Sequence, residues 1–352
     1  MAPRGNYSRS TLTPDFEPTT PEVLRLVGDG AGGAILMALG DGPLRTKELT
    51  ERVPGYAPRT IYRYAGKLAE LGVIERDEEP GVPSKVTYAL TEPKGRELYD
   101  LIAAYADASF THLPDGRVDA HAWGSLALLA DLWESGLIEE LNLGPKSATE
   151  LARVEHGLSY HQVNRRAGLF ATGGFLRGEV VAGRQRAFQL TDDARRGMAL
   201  IAGVGRWRRH HVVSGGTSGL TAREAGGVLR TALPLVTLPR HGGKSLAIEI
   251  ESETEKENAT DAVWAVVEAE GNVLSCEGPL TGVDGQARGK VSAFVDTLLD
   301  GPRNGLRLEG DAHLVTTCFE RLHAALWEGR GNGWAAAGDD PADEERPEPS
   351  YS

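Results

Sequence analysis

The chain has 352 residues, 40% of them hydrophobic, enough for two or three domains with sizeable cores. No run of eighteen apolar residues reads as a membrane span, the N-terminus lacks a secretory signal's apolar centre, and two cysteines, Cys276 and Cys318, make neither a disulfide framework nor a metal quartet. A cytoplasmic location is expected, and the net charge of −12 disfavours nucleic acid unless it is unevenly spread. It is uneven: Leu143 to His211 carries 12 Arg and Lys against 5 Asp and Glu, whereas Val212 to Ser352 carries 12 against 23.

Residues 1–20 are polar and proline-dotted and read as a disordered arm. A first domain is expected over 21–112. Pro21 opens a helix through Leu24, Val27, Ile35, Leu36 and Leu39, interrupted by glycines at 28, 30, 32, 33 and 40. Arg45 to Val53 is a short helix and Pro54-Gly55-Tyr56 a turn. Next, Pro58 starts a helix in which Ile61, Ala65, Leu68 and Leu71 share one face, leaving Arg59, Thr60, Tyr62, Arg63, Tyr64 and Lys67 off that stripe. Gly72 ends it, Val73 to Arg76 reads as a strand, Asp77 to Ser84 as a wing tip, Lys85 to Leu90 as the returning strand and Thr91 to Phe110 as a closing helix. This is the order of a winged helix-turn-helix.

GPLRTKELTERVPG, APRTIYRYAGKLAELGVIER and VTYALTEPKGREL resemble the HxlR-type winged-helix regulators of bacteria, over roughly Val23 to Phe110. Pro58-Arg59-Thr60, Leu71-Gly72 and Tyr88-Ala89-Leu90-Thr91 carry the likeness; Ala57 replaces the usual serine cap, and the family's early cysteine is absent. The resemblance implies a DNA-binding regulator.

After a linker at His112 to Asp119 the pattern returns. A shift of 102 residues lays Gly42-Pro43 on Gly144-Pro145, Ala57 on Ser159, Arg63 on Arg165 and Gly72 on Gly174. A second winged helix is therefore expected over 120–212, led by Trp123 to Leu141 and closed by Asp192 to Trp207, with Ser159 capping its recognition helix. Two modules in one chain imply an internal pseudo-dimer and an operator that is an imperfect palindrome; further pairing of two chains stays open.

Beyond the linker Val213 to Gly219, a third domain is expected over 220–328: a helix at Leu220 to Leu233, strands at Leu246 to Glu251, Ala262 to Ala269, Val273 to Glu277 and Leu306 to Leu308, and helices at Gly289 to Leu299 and Ala312 to Trp327. AVWAVVEAEGNV, VSAFVDTLLDG and LRLEGDAHLVTTCFERL look like the sterol-carrier-protein fold, most clearly at Gly310-Asp311, which implies an apolar ligand cavity. Residues 329–352 read as a disordered acidic tail. The expected class is thus α+β: two tandem winged helix-turn-helix domains followed by a small α+β sterol-carrier-protein-like domain.

DNA contact is expected from Arg45, Thr46, Arg59, Thr60, Tyr62, Arg63, Tyr64, Lys67 and Lys85 in the first module. In the second it is expected from Ser159, His161, Gln162, Asn164, Arg165, Arg166, Arg184 and Arg186. Arginine can bond bidentately to guanine, and Asn or Gln to adenine. The competing readings are a solvated helix whose arginines pair with Glu51 and Glu70, and, for the second module, the winged helix that dimerises small-molecule O-methyltransferases, which LGPKSATELARV also resembles. Trp264, Val266, Phe294, Leu298 and Phe319 could line the ligand cavity, with plain core as the alternative. No catalytic set, cofactor loop or metal spacing is recognised, so no enzyme activity, cofactor or metal is expected; the adjacent His210 and His211 point to different faces and lack cysteine or carboxylate partners. The function that follows is a sequence-specific regulator, with repression as the expected mode, that senses a small apolar molecule. The alternative is a lipid-handling or assembly protein whose winged helices only pair subunits.

Overall fold

The computed structural model describes residues 17–81, 84–109, 120–154, 159–181, 185–213, 219–254, 259–302 and 305–327. Residues 1–16 of the expected arm 1–20, the linker at 112–119 and the tail at 329–352 lie outside them, and the end of that arm is ordered, Thr19 capping and Thr20 opening the first helix. Among the described residues no single helix is long and apolar enough to cross a membrane.

The first unit begins with α1 (Thr20–Gly28), held at its start by Thr19, whose hydroxyl accepts from Glu22 N while the Glu22 carboxylate accepts from Thr19 N. The single helix expected here is two: the chain bends by 82° before α2 (Ala31–Gly40). Gly30, at φ 66°, makes the corner that a side chain would resist. β1 (Leu44–Arg45), α3 (Thr46–Arg52), α4 (Pro58–Glu70), β2 (Ile74–Glu79), β3 (Lys85–Leu90) and α5 (Lys94–Ser109) follow, with the sheet ordered β1-β3-β2.

The second unit repeats that order, except that its closing helix, expected as one over Asp192 to Trp207, is broken in two at Gly197: α6 (Ala120–Glu134), α7 (Leu137–Asn142), β4 (Lys146–Ser147), α8 (Ala148–Val154), α9 (Tyr160–Thr172), β5 (Leu176–Val181), β6 (Gln185–Leu190), α10 (Asp192–Arg196) and α11 (Met198–His211), with the sheet ordered β4-β6-β5. Equivalent bonds recur. Val73 N donates to Leu68 O and Phe175 N to Phe170 O, both at 2.9 Å, while the Thr91 and Thr191 hydroxyls donate to Gly72 O at 2.7 Å and Gly174 O at 2.6 Å. Gly72 and Gly174 both take left-handed φ, 73° and 81°.

The helix starts differ as their sequences require. Ala57 gives α4 no side-chain cap, whereas the Ser159 hydroxyl accepts from Gln162 N and the Gln162 side chain accepts from Ser159 N. Ser159→Ala should therefore lower unfolding free energy by about 0.5–2 kcal/mol in urea titrations, while Ala57→Ser should raise it by a similar amount.

The units meet through corresponding helices, α1 against α6 and α5 against α11. Close approach depends on small residues: a Cβ on Gly28 would stand 2.4 Å from Ala127 N, and one on Gly33 would stand 2.3 Å from Trp123 Cε3. Arg25 of α1 donates to Asp131 of α6 at 2.8 Å, and the Trp207 indole N–H of α11 donates to Lys94 O of α5 at 2.8 Å.

The third unit has α12 (Ala222–Ala232), β7 (Ser245–Glu251), β8 (Thr260–Val267), β9 (Val273–Cys276), β10 (Gly285–Lys290), α13 (Val291–Asp300), β11 (Arg307–Gly310) and α14 (Ala312–Trp327), with the sheet ordered β11-β10-β7-β8-β9. β10, a strand that was not expected, runs parallel to β7 in the middle of the sheet. Gly285-Gln286-Ala287-Arg288-Gly289-Lys290 has none of the β-branched or aromatic residues that mark strands, and its small residues admit the helices: a Cβ on Gly285 would meet Val315 of α14 at 2.8 Å. Gly310 takes φ 68°, and the Asp311 carboxylate accepts from Leu314 N at 3.0 Å and pairs with Lys244, which holds its pKa down at about 2. The Gly-Asp pair thus turns the chain from β11 into α14 and caps that helix.

Candidate nucleic-acid interface

In α4, residues 59, 63 and 67 are one helical turn apart, so Arg59, Arg63 and Lys67 form a single exposed cationic stripe. None of the three pairs with a carboxylate among the described residues, and Lys47 takes Glu51 instead. Tyr62 beside them is 42% exposed, and Thr60 is half-buried.

Tyr64 does not belong to this face. It is 6% exposed, packs with Ile61, Ala65 and Leu68, and its hydroxyl donates to the Asp29 carboxylate at the α1–α2 corner. Burial first, and then Asp29, raises its pKa. Positions 61, 64, 65 and 68 make one helical stripe, so Tyr64 is core with a satisfied hydroxyl, not a base contact. Its ring nonetheless supports the cationic face: Arg63 Cζ lies 5.1 Å and Lys67 Nζ 5.0 Å from its centroid. Tyr64→Phe should cost about 0.5–1.5 kcal/mol of stability in denaturant titrations and leave duplex affinity within about twofold.

Arg45 is exposed at the start of α3, where its backbone N–H donates to Glu48 at 2.7 Å. Thr46 is half-buried, and its hydroxyl donates to Val86 O at 3.2 Å, so it fastens α3 to β3. Lys85 is exposed on the wing but stands opposite Glu79 in a ladder whose other strand carries Glu75, Asp77 and Glu78 on exposed positions. An acidic wing repels phosphate, so Lys85 alone makes a weak anchor.

In α9, His161, Gln162, Asn164, Arg165 and Arg166 are all exposed. Arg165 and Arg166 pair with no carboxylate among the described residues. Ser159 and the Gln162 carbonyl oxygen are engaged in the cap, which leaves only the Gln162 amide N–H groups to reach outward. Leu169, at the position equivalent to Lys67, is 50% exposed, and Tyr160 is 48% exposed. Arg184 lies outside the described residues, and of Arg186 only its place in β6 is described.

The basic run that ends α11 does not face this surface. Arg206 donates to Asp300 at 2.8 Å and Arg209 to Asp296 at 3.0 Å, both on α13. Arg208 donates to Pro18 O and Gly219 O. The histidines are not without a carboxylate either: Glu97 of α5 lies 2.8 Å from His211 Nε2 and 3.9 Å from His210 Nδ1. No local pattern reveals this pairing, because Glu97 precedes His211 by 114 residues.

The five residues expected around one ligand do not converge. Val263, Ala265 and Val267 of β8 are buried beneath the helices, so Trp264 and Val266, alternating with them, stand on the opposite face of the sheet. Phe294, Leu298 and Phe319 are buried on the helix side, with the two phenylalanine centroids 6.0 Å apart. Cys318 is buried beside them, which pushes its thiol up to about 12 and makes it a poor nucleophile.

The HxlR-like helix-turn-helix family profile matches residues 26–115, the stretch that holds α4 and both strands of the first wing. The HTH-type transcriptional regulator YodB of Bacillus subtilis (strain 168) is 34% identical over 101 residues, which is 28% of this chain and 86% of YodB. The uncharacterized HTH-type transcriptional regulator YtfH of Escherichia coli (strain K12) is 33% identical over 94 residues, 27% of this chain and 74% of YtfH. A crystal structure of diamide-treated YodB covers 24% of this chain and 86% of its own, at 34% identity and a TM-score of 0.22. On the family profile and the coverage of YodB, the chain belongs to the HxlR-like helix-turn-helix family.

Proposed function

We propose that the chain is a sequence-specific transcription regulator that holds duplex DNA with two winged helices, α4 and α9 acting as recognition helices of an internal pseudo-dimer. The observation that carries this reading is the exposed stripe of Arg59, Arg63 and Lys67, which pairs with no carboxylate among the described residues and lies inside the family-matched stretch. The pairing of α1 with α6 and of α5 with α11 supports a pseudo-two-fold, in which equivalent surfaces meet. Such a chain would read an imperfect palindrome, as a repressor if its site overlaps a promoter. The third unit would bind a small apolar molecule on the helix side of its sheet, beside Phe294, Leu298 and Phe319.

Fluorescence anisotropy tests the reading. Duplex from the chain's own upstream region should bind more tightly than a scrambled duplex, and affinity for both should fall steeply with salt, because phosphate contacts release counterions. Equal affinity for both probes would leave a non-specific binder, and the absence of salt-sensitive binding would remove DNA altogether.

A second reading is favoured by Leu169 and Tyr160. Two half-exposed apolar side chains on α9 suit a protein partner better than phosphate, so the second winged helix would then assemble subunits while the first binds DNA.

A further inference from the structure

We propose that Glu97, His210 and His211 form a binding site for a divalent transition-metal ion of the zinc class at the junction of α5 and α11. Their ligand atoms all lie within 4.8 Å of one another, and the three side chains come from two helices brought together by folding. The Glu97 carboxylate stands 2.8 Å from His211 Nε2 and 3.9 Å from His210 Nδ1. Tetrahedral zinc, with N and O ligands at about 2.0–2.1 Å, needs donors about 3.3 Å apart, so both gaps close on an ion with sub-ångström shifts. Two imidazoles and one carboxylate are the donor set that borderline ions prefer over magnesium or calcium.

The surroundings suit an ion better than a bare ion pair. Arg209 Nη2 sits 3.2 Å from His210 Nε2 but is also held by Asp296, so it can release the ring when Nδ1 takes the ion. Arg206 is likewise neutralised, by Asp300. Glu97 and His210 are open to solvent, on the wall of a cleft of about 310 Å³ that Asp100 also lines, which leaves room for a water as fourth ligand. His211 is only 12% exposed and packs on Trp207 with ring centroids 6.0 Å apart, so one ligand is held rigidly.

An ion here would fasten the closing helix of the first unit to that of the second. The binding claim does not depend on the DNA reading. The test is calorimetric titration of the full, tag-free, chelator-stripped chain with zinc chloride, beside His210→Ala and Glu97→Gln, with magnesium chloride as control. Cobalt(II) absorption would report the geometry. The expected result is one saturable zinc site per chain, a raised melting temperature on binding and no magnesium binding. Affinity should fall more than about tenfold in each variant, the loss seen even for residues that merely support a metal ligand. His210 is exposed and Glu97→Gln keeps a hydrogen bond to His211, so both variants should fold, as their circular dichroism would verify. Absence of saturable zinc binding, or zinc binding of unchanged affinity in either variant, would overturn the site.

Discussion

Replacing Arg59 and Arg63 together with alanine should weaken duplex binding about 30- to 1,000-fold, or roughly 2–4 kcal/mol, with little change in stability. Both side chains are exposed and lie outside the apolar stripe of Ile61, Tyr64, Ala65 and Leu68, so removing them opens no cavity. They also pair with no carboxylate among the described residues, so no buried charge is left behind. The loss should be greater for the cognate duplex than for a scrambled one if either arginine reads a guanine edge, and equal for both if they touch phosphate alone. A double variant that binds within about threefold of the wild type would move the interface off α4.

The largest expected effect on folding is at the junction of the two halves. Trp123 is 2% exposed, and its ring fills the space that Gly33 leaves open on α2. Trp123→Ala should cost about 3–5 kcal/mol, since a buried indole is lost and helices already in contact through Gly28 and Ala127 have little room to close the gap. Guanidinium unfolding would measure this, and anisotropy on the folded fraction would add a second reading. If α1–α6 packing sets the spacing of the two recognition helices, the variant should lose affinity for the full site more than for a half-site. A cost below about 1 kcal/mol would show that the site collapses freely and that the junction is looser than its geometry suggests.

Much of this architecture is legible in the sequence because its signals are local. Gly72 and Gly174 end helices in left-handed conformations that a Cβ resists, and they stand 102 residues apart, as do Gly42 and Gly144, at φ 136° and 124°. The cap at Ser159 and its absence at Ala57 follow from chemistry alone. The exposed stripe of α4 can be read by counting turns. Tyr64 could have been read in the same way, since it falls between Ile61 and Leu68 on the apolar face, but a hydroxyl disguises a core residue whose partner, Asp29, lies 35 positions away.

What was hidden depended on distant contacts. β10 is made a strand by its neighbours β7 and β11, not by its own residues. Trp264 and Phe294 are both apolar, yet strand alternation places them on opposite sides of a sheet. The arginines closing α11 find Asp296 and Asp300 on α13, far along the chain, and Glu97 reaches His210 and His211 only after folding. Charge within the first unit is also sorted by the fold: several carboxylates lie on the wing, where they oppose phosphate, and the cations gather on α4.

The most direct test of the account is the salt dependence of duplex affinity in three variants: Arg59→Ala/Arg63→Ala, Arg165→Ala/Arg166→Ala, and all four together. Each lost phosphate contact should lower the slope of log affinity against log salt by about 0.9. If both halves of one chain hold the same duplex, each pair lowers the slope by up to about 1.8, and the fourfold variant loses the sum. A wild-type slope and wild-type affinity for Arg165→Ala/Arg166→Ala would contradict the account and leave the second unit as a partner for protein alone.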